Sequence, residues 1–304
     1  MAVEAVQDTV WAAERSRTQV KLFEGEFWMV LTGLLGFLLA GVCAVWILLN
    51  GEAVAPGGHV SRAFSFNAAL GIFLLSTAAI MPYAGMGNIG RAFFRWSYIV
   101  LALYSYFAEN VQNFRGVNPR FVENGTPFDE AVGNIFATVA LLLVLYYLFF
   151  AIYFFLPRAR ALHPELVLGI RYAMAAVLLS FAAGLWISVN EGRMVGASGN
   201  IIVLHGLGFH ALQAVPGAAW LTKHTSLPAR SRLKFIHLTG LFYLLGLAAI
   251  GWQTYLGHGV FEASGLPMVI LGCFLISFTA GGMVLFKTPW FRGIEEKVTG
   301  SRQG

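Results

Sequence analysis

Charged residues are scarce in this sequence. Only 12% of the 304 residues are Asp, Glu, Lys or Arg, whereas soluble domains contain about a quarter. In their place the chain carries 58% hydrophobic residues, more than a soluble core could hide from water. This composition argues against an ordinary soluble domain and favours a protein whose apolar surface is covered by lipid.

Cysteine and the common catalytic motifs are also nearly absent. The two cysteines, Cys43 and Cys273, lie in separate apolar stretches, so a disulfide framework is excluded and both are expected to be small core residues. There is no HExxH motif, and the GxGxxG pattern at residues 85–90 follows an apolar run instead of a strand, which predicts a turn. The net charge of +5 is spread over short loops without a basic face, so no nucleic-acid partner is expected.

Long apolar runs are what the sequence has in abundance. A helix that spans a bilayer needs about 20 mostly apolar residues, because its backbone groups must pair within the segment. The sequence predicts an all-α polytopic membrane protein with the lipid bilayer as its partner and eight transmembrane helices, numbered here as spans 1 to 8: 27–50, 62–84, 92–114, 129–156, 166–189, 199–222, 233–256 and 265–288.

The basic residues between the spans predict the orientation. One side of the membrane receives fifteen Lys and Arg residues, and the other receives four: Arg62, Arg115, Arg120 and Arg193. By the positive-inside rule both termini are cytoplasmic, in a cell membrane. Residues 1–26 lack the apolar core of a cleavable signal, so they are expected to be a cytoplasmic segment, with 291–304 as a cytoplasmic tail.

Two pairs of similar segments indicate an internal duplication. The sequence WILLN at 46–50 resembles WISVN at 186–190, and QNFRG at 112–116 resembles QTYLG at 253–257. The distance along the chain from the first member to the second is nearly the same for both pairs. Pro82 and Pro216 are taken as a third corresponding pair. The predicted halves are 27–157 and 158–290. Each half holds four spans, so the two would be parallel, related by an axis along the membrane normal.

Polar side chains inside the spans are concentrated in spans 3 and 6. Such side chains are costly in a bilayer and usually face the protein interior. At about 100° per residue, Tyr106, Glu109, Gln112 and Asn113 share one face of span 3, with Asn110 at its margin. On span 6 a wider arc holds three more polar residues: His205, His210 and Gln213.

The depths of these residues suggest one site in the outer third of the bundle. Glu109 and His205 each lie about five residues from the outer end of their spans, at a similar level. The sequence predicts that they form a proton-active pair, able to act as a relay or a general acid and base. Six further side chains would orient a small-molecule ligand: Asn110, Gln112, Asn113, His210, Gln213 and Gln253, the last as the repeat equivalent of Gln112.

Three kinds of function fit this pattern. The first is a carrier or membrane-embedded enzyme of unknown substrate, the second a redox protein that binds haem or a metal, and the third a structural subunit whose amides hold the bundle together. Two four-helix halves resemble the architecture of haem A synthases. That family has histidines on the even-numbered helices of both halves, however, and spans 2, 4 and 8 contain none. The resemblance therefore covers topology alone, and a metal site would use His205 and Glu109.

Overall fold

The computed structural model describes residues 20–123, 125–262 and 265–288, and for Arg160 and Leu162 it describes the backbone. Over these residues the fold is helical, with two short antiparallel hairpins, β1–β2 and β3–β4. The predicted terminal segments 1–26 and 291–304 lie outside the described residues, apart from 20–26. The elements in chain order are α1 (Phe27–Asn50), β1 (Ala53–Val54), β2 (Gly58–His59), α2 (Val60–Ile80), α3 (Asn88–Phe114), α4 (Pro127–Phe155), α5 (Pro157–Leu162), α6 (Pro164–Val189), β3 (Met194–Val195), β4 (Gly199–Asn200), α7 (Ile201–Thr222), α8 (Ala229–Tyr255) and α9 (Gly265–Phe286).

Seven of these helices are long and apolar enough to cross a membrane, as expected of a polytopic membrane protein. They are α1, α4 and α6 to α9, together with α2 extended by the short turn that follows it. Helix α3 has 27 residues, which is long enough, but it is not among the seven. Its charged and amide side chains lower its hydropathy. The count of eight spans and the direction of the termini stay predictions.

The chain forms two compact units, and the first is Met1–Leu162. The starts of α1 and α3 meet through Glu26, whose carboxylate binds Arg91 and Arg95. The end of α3 meets the β1–β2 hairpin, where the Gly57 amide donates to the Gly116 carbonyl at 2.7 Å. Within this unit α1 and α3 therefore run in one direction and α2 in the other. We call the end of the unit at which the β1–β2 hairpin meets the end of α3 its hairpin end.

The second unit, His163–Gly304, is built in the same way. Glu165 at the start of α6 binds Arg232 near the start of α8, with 2.9 Å between the closest atoms. At its hairpin end, the Ser198 amide donates to the Gly257 carbonyl at 3.0 Å. Helices α6 and α8 therefore run in one direction and α7 in the other.

The two hairpins have the same backbone pairing at equivalent positions of the two units. Ala53 pairs with His59 in the first hairpin, and Met194 pairs with Asn200 in the second. The shift that brings Ala53 onto Met194 also superimposes the two glycines that the hairpins pack against, Gly116 with φ +78° and Gly257 with φ +79°. The prediction that Pro82 and Pro216 correspond is wrong: Pro82 lies in the turn after α2, whereas Pro216 lies inside α7.

Small residues allow the first two helices of each unit to pack closely, as is common in membrane bundles. In the first unit, a Cβ atom on Gly71 would lie 2.8 Å from the Gly33 carbonyl oxygen. In the second, a Cβ on Gly208 would lie 2.9 Å from the Ala176 carbonyl oxygen. A larger side chain at Gly71 or Gly208 would therefore force the two helices apart.

Helix α3 is amphipathic in the opposite sense to a helix on a soluble protein. Its buried side chains include Ser105, Glu109, Gln112 and Asn113. Its exposed face is a stripe of large apolar residues at helical spacing: Ile89, Phe93, Trp96, Val100, Leu103 and Phe107. The polar face of α3 thus points into the first unit and the apolar face points away from it.

Thr126 and Asp129 form a capping box at the start of α4, with Pro127 in the first turn. The prediction that both cysteines are core residues is confirmed. Cys43 and Cys273 are both free and buried.

Candidate functional site

The polar face of α3 forms the core of a cluster inside the first unit. Tyr106, Glu109, Gln112 and Asn113 are all buried, and Asn110 at the margin is half-buried. This confirms the prediction that these side chains share one face, because helical spacing places them on the side of α3 that packs inward.

Glu109 is fully buried, with 0% of its side chain exposed. Its Oε1 atom accepts a hydrogen bond from the Arg120 Nε atom at 2.8 Å and forms an ion pair with the Nη2 atom of the same guanidinium group at 2.6 Å. Its Oε2 atom accepts from the Asn113 Nδ2 atom at 3.2 Å. Arg120 comes from the connection between α3 and α4, and 41% of its side chain is exposed. A buried carboxylate is thus neutralised by a cation that reaches in from the surface.

Two neighbours hold this ion pair in position. The Arg120 Cζ atom lies 5.7 Å from the centre of the Phe66 ring, within the range of a cation–π contact. The Asn113 Oδ1 atom accepts from the His59 amide at 3.1 Å, and its Nδ2 atom also donates to the Glu109 carbonyl at 2.7 Å. Asn113 therefore ties the carboxylate to the β1–β2 hairpin.

A second part of the cluster joins α1, α2 and α3. Asn67 and Asn110 exchange two side-chain hydrogen bonds, at 2.9 and 3.0 Å. The Cys43 thiol donates to the Asn110 Oδ1 atom at 3.4 Å. Nearby, the Tyr106 hydroxyl is buried and has no hydrogen-bond partner among the described residues. This part of the cluster is neutral, and its polar atoms come from three different helices.

The hairpin end of the cluster is closed by contacts with the start of α4. The Gln112 Nε2 atom donates to the Asp129 carbonyl at 3.0 Å, and the Arg115 Nε atom donates to the Asp129 carboxylate at 3.1 Å. The Gln112 Oε1 atom is buried without a partner among the described residues. Arg115 and Asp129 thus neutralise each other at the end of α3.

The histidines of the predicted site lie in the second unit. His205 is half-buried, and its Nδ1 atom lies 2.7 Å from the Ser180 carbonyl oxygen. Its ring also packs edge to face against Phe209. His210 is exposed, with its Nδ1 atom 3.1 Å from the Gln213 Oε1 atom. Glu109 and His205 thus belong to different units and have their own local contacts, and the Glu–His pair stays a prediction.

Gln253 occupies the same place on α8 as Gln112 does on α3. The backbone carbonyls of both accept from an amide in the turn that follows the helix, that of His258 for Gln253 and that of Val117 for Gln112. The side chain of Gln253 is buried, and its Nε2 atom donates to the Gly259 carbonyl at 3.1 Å. Each glutamine therefore uses its amide nitrogen to bind the backbone that follows its helix.

Most of the other cluster positions have no polar side chain in the second unit, and the exception is the buried Thr254, which corresponds to Asn113. In the alignment that pairs Gly116 with Gly257, Glu109 corresponds to Ile250 and Arg120 to Phe261. Ile250 is buried and Phe261 is exposed. The same alignment gives three further pairs: Asn67 with Gly208, Asn110 with Gly251, and Asn113 with Thr254. Aligning α1 with α6 through Asn50 and Asn190 pairs Cys43 with Ala183.

Sequence reasoning missed the cations that bind the buried glutamates. The sequence pattern places Arg120 only in a loop, although a carboxylate inside a span implies a cation within reach. At the opposite end of the units, Arg91 and Arg232 occupy equivalent positions and bind Glu26 and Glu165. The recurrence of a glutamate and an arginine at these positions in both units is a sequence signal that could have identified the ion pairs. Asn67 and Cys43 carry no distinctive signal, because single amides and thiols are common in membrane helices.

Metal ligands are not grouped in the described part of the chain. Over residues 20–123, 125–262 and 265–288, no three His, Cys, Asp or Glu side chains come together as a metal site. The contacts of Glu109 are hydrogen-bond donors from arginine and asparagine, which serve a carboxylate and not a metal ion.

Comparisons of the chain with protein-family models, with curated proteins and with solved structures found no match.

Proposed function

We propose that the chain is an eight-span membrane protein that arose by internal duplication and binds a small polar molecule in its first half, at the outer side of the membrane. Glu109 is the charged contact of this site. Binding at such a site is the step that a carrier and a membrane-embedded enzyme share. Both termini are then cytoplasmic, and the hairpin ends face outward.

The surface of α3 supports its role as the eighth span. Its exposed stripe from Ile89 to Phe107 is apolar, while its charged and amide groups are buried within the first unit. A helix at a water-facing surface has the reverse arrangement. Lipid around α3 explains why its apolar side chains are exposed and its polar ones are buried, because polar groups in a bilayer turn toward the protein interior.

The recurring backbone supports the duplication. The hairpin, the positive-φ glycine that it packs against (Gly116 or Gly257) and the glutamate–arginine pair each occur once in both units. The distance along the chain between the two copies is nearly the same for all three features. Part of the small change in that spacing falls between Asn190 and Arg193, where the second half has one residue more. These features come from backbone and charge placement, which chance similarity between apolar helices does not produce.

One observation carries the proposed site: two units share a backbone frame, yet the first alone has a connected polar cluster at these positions. The second unit shows that the frame is stable with Ile250 and Gly251 where the first has Glu109 and Asn110. Buried polar groups are costly in a membrane and tend to mark function. The cluster is therefore better explained by a ligand than by the needs of the fold.

The test uses the native thiol of the cluster. In a Cys273→Ala background, Cys43 is the single cysteine, since the chain has two. We expect a membrane-impermeant methanethiosulfonate reagent to label Cys43 from the outer side of intact cells. The matched control places the thiol at the equivalent position of the second unit, by Ala183→Cys in a chain without Cys43 and Cys273.

A hydrated site in the first unit predicts at least tenfold faster labelling at Cys43 than in the Ala183→Cys control. Small polar molecules that bind should slow the labelling of Cys43 in a saturable way, and Glu109→Gln should weaken that protection. Equal and slow labelling at both positions would remove the proposed site and leave the cluster a structural feature of the bundle.

A further inference from the structure

We infer that the ligand carries a small organic cation, a guanidinium or primary ammonium group, and that Arg120 is the internal occupant which this cation displaces. The inference rests on the proposed function and assigns the chemical class of its ligand. It comes from the way Glu109 is paired, compared with the other buried or nearly buried glutamates whose contacts are described.

The surroundings of Arg120 already form a binding site for a guanidinium group. The buried Glu109 carboxylate accepts the Arg120 Nε–H group at 2.8 Å and pairs with the Nη2 atom at 2.6 Å, and the Phe66 ring lies 5.7 Å from the guanidinium carbon. A carboxylate combined with an aromatic face is a common way for proteins to hold organic cations. Asn113 fixes the second carboxylate oxygen, so the acceptor is held in place on the helix.

The two other glutamates are paired in a different way. Glu26 is fully buried and binds Arg91 and Arg95, both of which are on α3 and no more than 22% exposed. Glu165 binds Arg232, which is on α8 and contacts both carboxylate oxygens. These arginines are fixed on helices, and the pairing recurs in both units. Such recurrence marks a contact that the frame needs.

The ion pair of Glu109 differs in both respects, because its arginine is not on a helix and the pair does not recur in the second unit. Its arginine lies in the connection between α3 and α4, donates its hydrogen bond to Oε1 and is 41% exposed. The second unit has Ile250 instead of a glutamate. The acceptor is rigid and buried, while the donor is on a loop and open to solvent. An external cation can therefore take the place of the Arg120 side chain without disturbing the helices.

The balance of charge determines which ligands can enter. Arg115, the other nearby arginine of the connection, is bound to Asp129 at 3.1 Å. If Arg120 swings out, Glu109 keeps only its hydrogen bond from Asn113. A neutral or anionic ligand would then leave a buried carboxylate without a cation, which is strongly unfavourable. A cation with N–H donors restores both the charge and the hydrogen bonds.

The experiment is a chemical rescue of Arg120→Ala in lipid nanodiscs. Methylguanidinium and methylammonium at low millimolar concentrations are the probes, with tetramethylammonium as a cation without N–H donors and acetate as an anion. We expect the first two to raise the Tm of Arg120→Ala in a saturable way, with half-saturation at least tenfold below that of the wild type. Tetramethylammonium should bind at least tenfold more weakly, acetate should have no effect, and Arg120→Ala combined with Glu109→Gln should lose the rescue.

The inference is overturned if neither probe stabilises Arg120→Ala, or if the double variant responds equally. Should Arg120→Ala fail to fold, the neutral variant Arg120→Gln takes its place, and an unchanged half-saturation relative to wild type would then count against the inference. Failure of the rescue together with fast labelling at Cys43 rejects the cation and keeps the site. Slow labelling at Cys43, equal to that of the Ala183→Cys control, rejects the proposed function itself.

Discussion

The two units of this chain differ in what they bury at their hairpin ends. The first buries Glu109 and Asn113 inside its helices, with Asn110 half-buried beside them. The second has Ile250, Gly251 and Thr254 at the same places on an equivalent helix. Both close the hairpin against a glycine with φ near +80° and both join the starts of their first and third helices by an ion pair.

This difference separates what the fold needs from what has been added to it. The shared features, a hairpin, a positive-φ glycine and a glutamate–arginine pair, hold the helix ends together in each unit. The cluster around Glu109 occurs in one unit only, so the frame does not depend on it. Substitutions at positions where the units differ, and at positions where they agree, test this separation.

Introducing the acid of the first unit into the second should be severely destabilising. Ile250 is 1% exposed, and the equivalent of Arg120 is the exposed Phe261, so Ile250→Glu would bury a carboxylate without its cation. We expect a loss of about 3–5 kcal/mol in the free energy of unfolding. Thermal unfolding in nanodiscs measures it, with Ile250→Gln as the neutral control. If Ile250→Glu costs no more than Ile250→Gln, burial of charge is not what distinguishes the units.

The glycines beneath the hairpins should be sensitive in both units. Alanine at Gly116 would have φ +78° and a Cβ that overlaps the Ala55 carbonyl oxygen. Alanine at Gly257 would have φ +79° and a Cβ 3.0 Å from the Gly196 Cα atom, a milder contact. We expect about 2–3 kcal/mol for Gly116→Ala and about 1–2 kcal/mol for Gly257→Ala, from strain and steric overlap.

The control for these two variants is Gly217→Ala, where a Cβ inside α7 meets nothing within 4 Å. That variant should be neutral or slightly stabilising, because alanine is the better helix former. Equal sensitivity of all three glycines would mean that the hairpin contacts are not shared supports.

The ion pairs at the opposite ends should matter in both units but unequally. Glu26 is fully buried and serves two arginines, so Glu26→Gln should cost about 2–3 kcal/mol. Glu165 is 14% exposed and Arg232 is 27% exposed, so Glu165→Gln should cost about 1 kcal/mol. Both variants should leave the labelling rate of Cys43 unchanged. A change in that rate would connect the two ends of the first unit, which we do not expect.

Much of the frame could be predicted from the sequence, because apolar runs and helical spacing are local properties. The inward face of α3 follows from about 100° per residue, and the start of α4 from Thr126 and Asp129. The hairpins could not be predicted, since each pairs only two residues per strand and depends on the neighbouring helix end. Arg120 was missed because its contact depends on the path of the connection after α3, and no periodic pattern describes that path.

The weakest effect is expected at a polar contact of the second unit that lies in the loop at its hairpin end, outside the helices. The pKa of Glu262 is lowered to about 2 because its carboxylate accepts from the Ser198 hydroxyl, the Gly259 amide and the His258 ring. An unfolded glutamate titrates near 4.3. The stabilisation is therefore complete above about pH 4.3 and is lost as the pH falls toward 2. NMR of the labelled carboxyl group should show this low pKa.

Ser198→Ala removes the first of these donors, so the pKa of Glu262 should rise toward its ordinary value while labelling at Cys43 stays the same. His258→Ala should produce a smaller rise, because the hydroxyl and the amide remain. If Ser198→Ala left the titration unmoved, the loop would not be held by this carboxylate. Loss of this exposed contact should leave the helices of the second unit intact, because the side chains of His258 and Glu262 are 49% and 44% exposed and lie after the end of α8. The Glu109→Gln variant of the first unit would instead remove a buried charge, so the carboxylate inside the bundle should matter more to its unit than the exposed Glu262 does to the second.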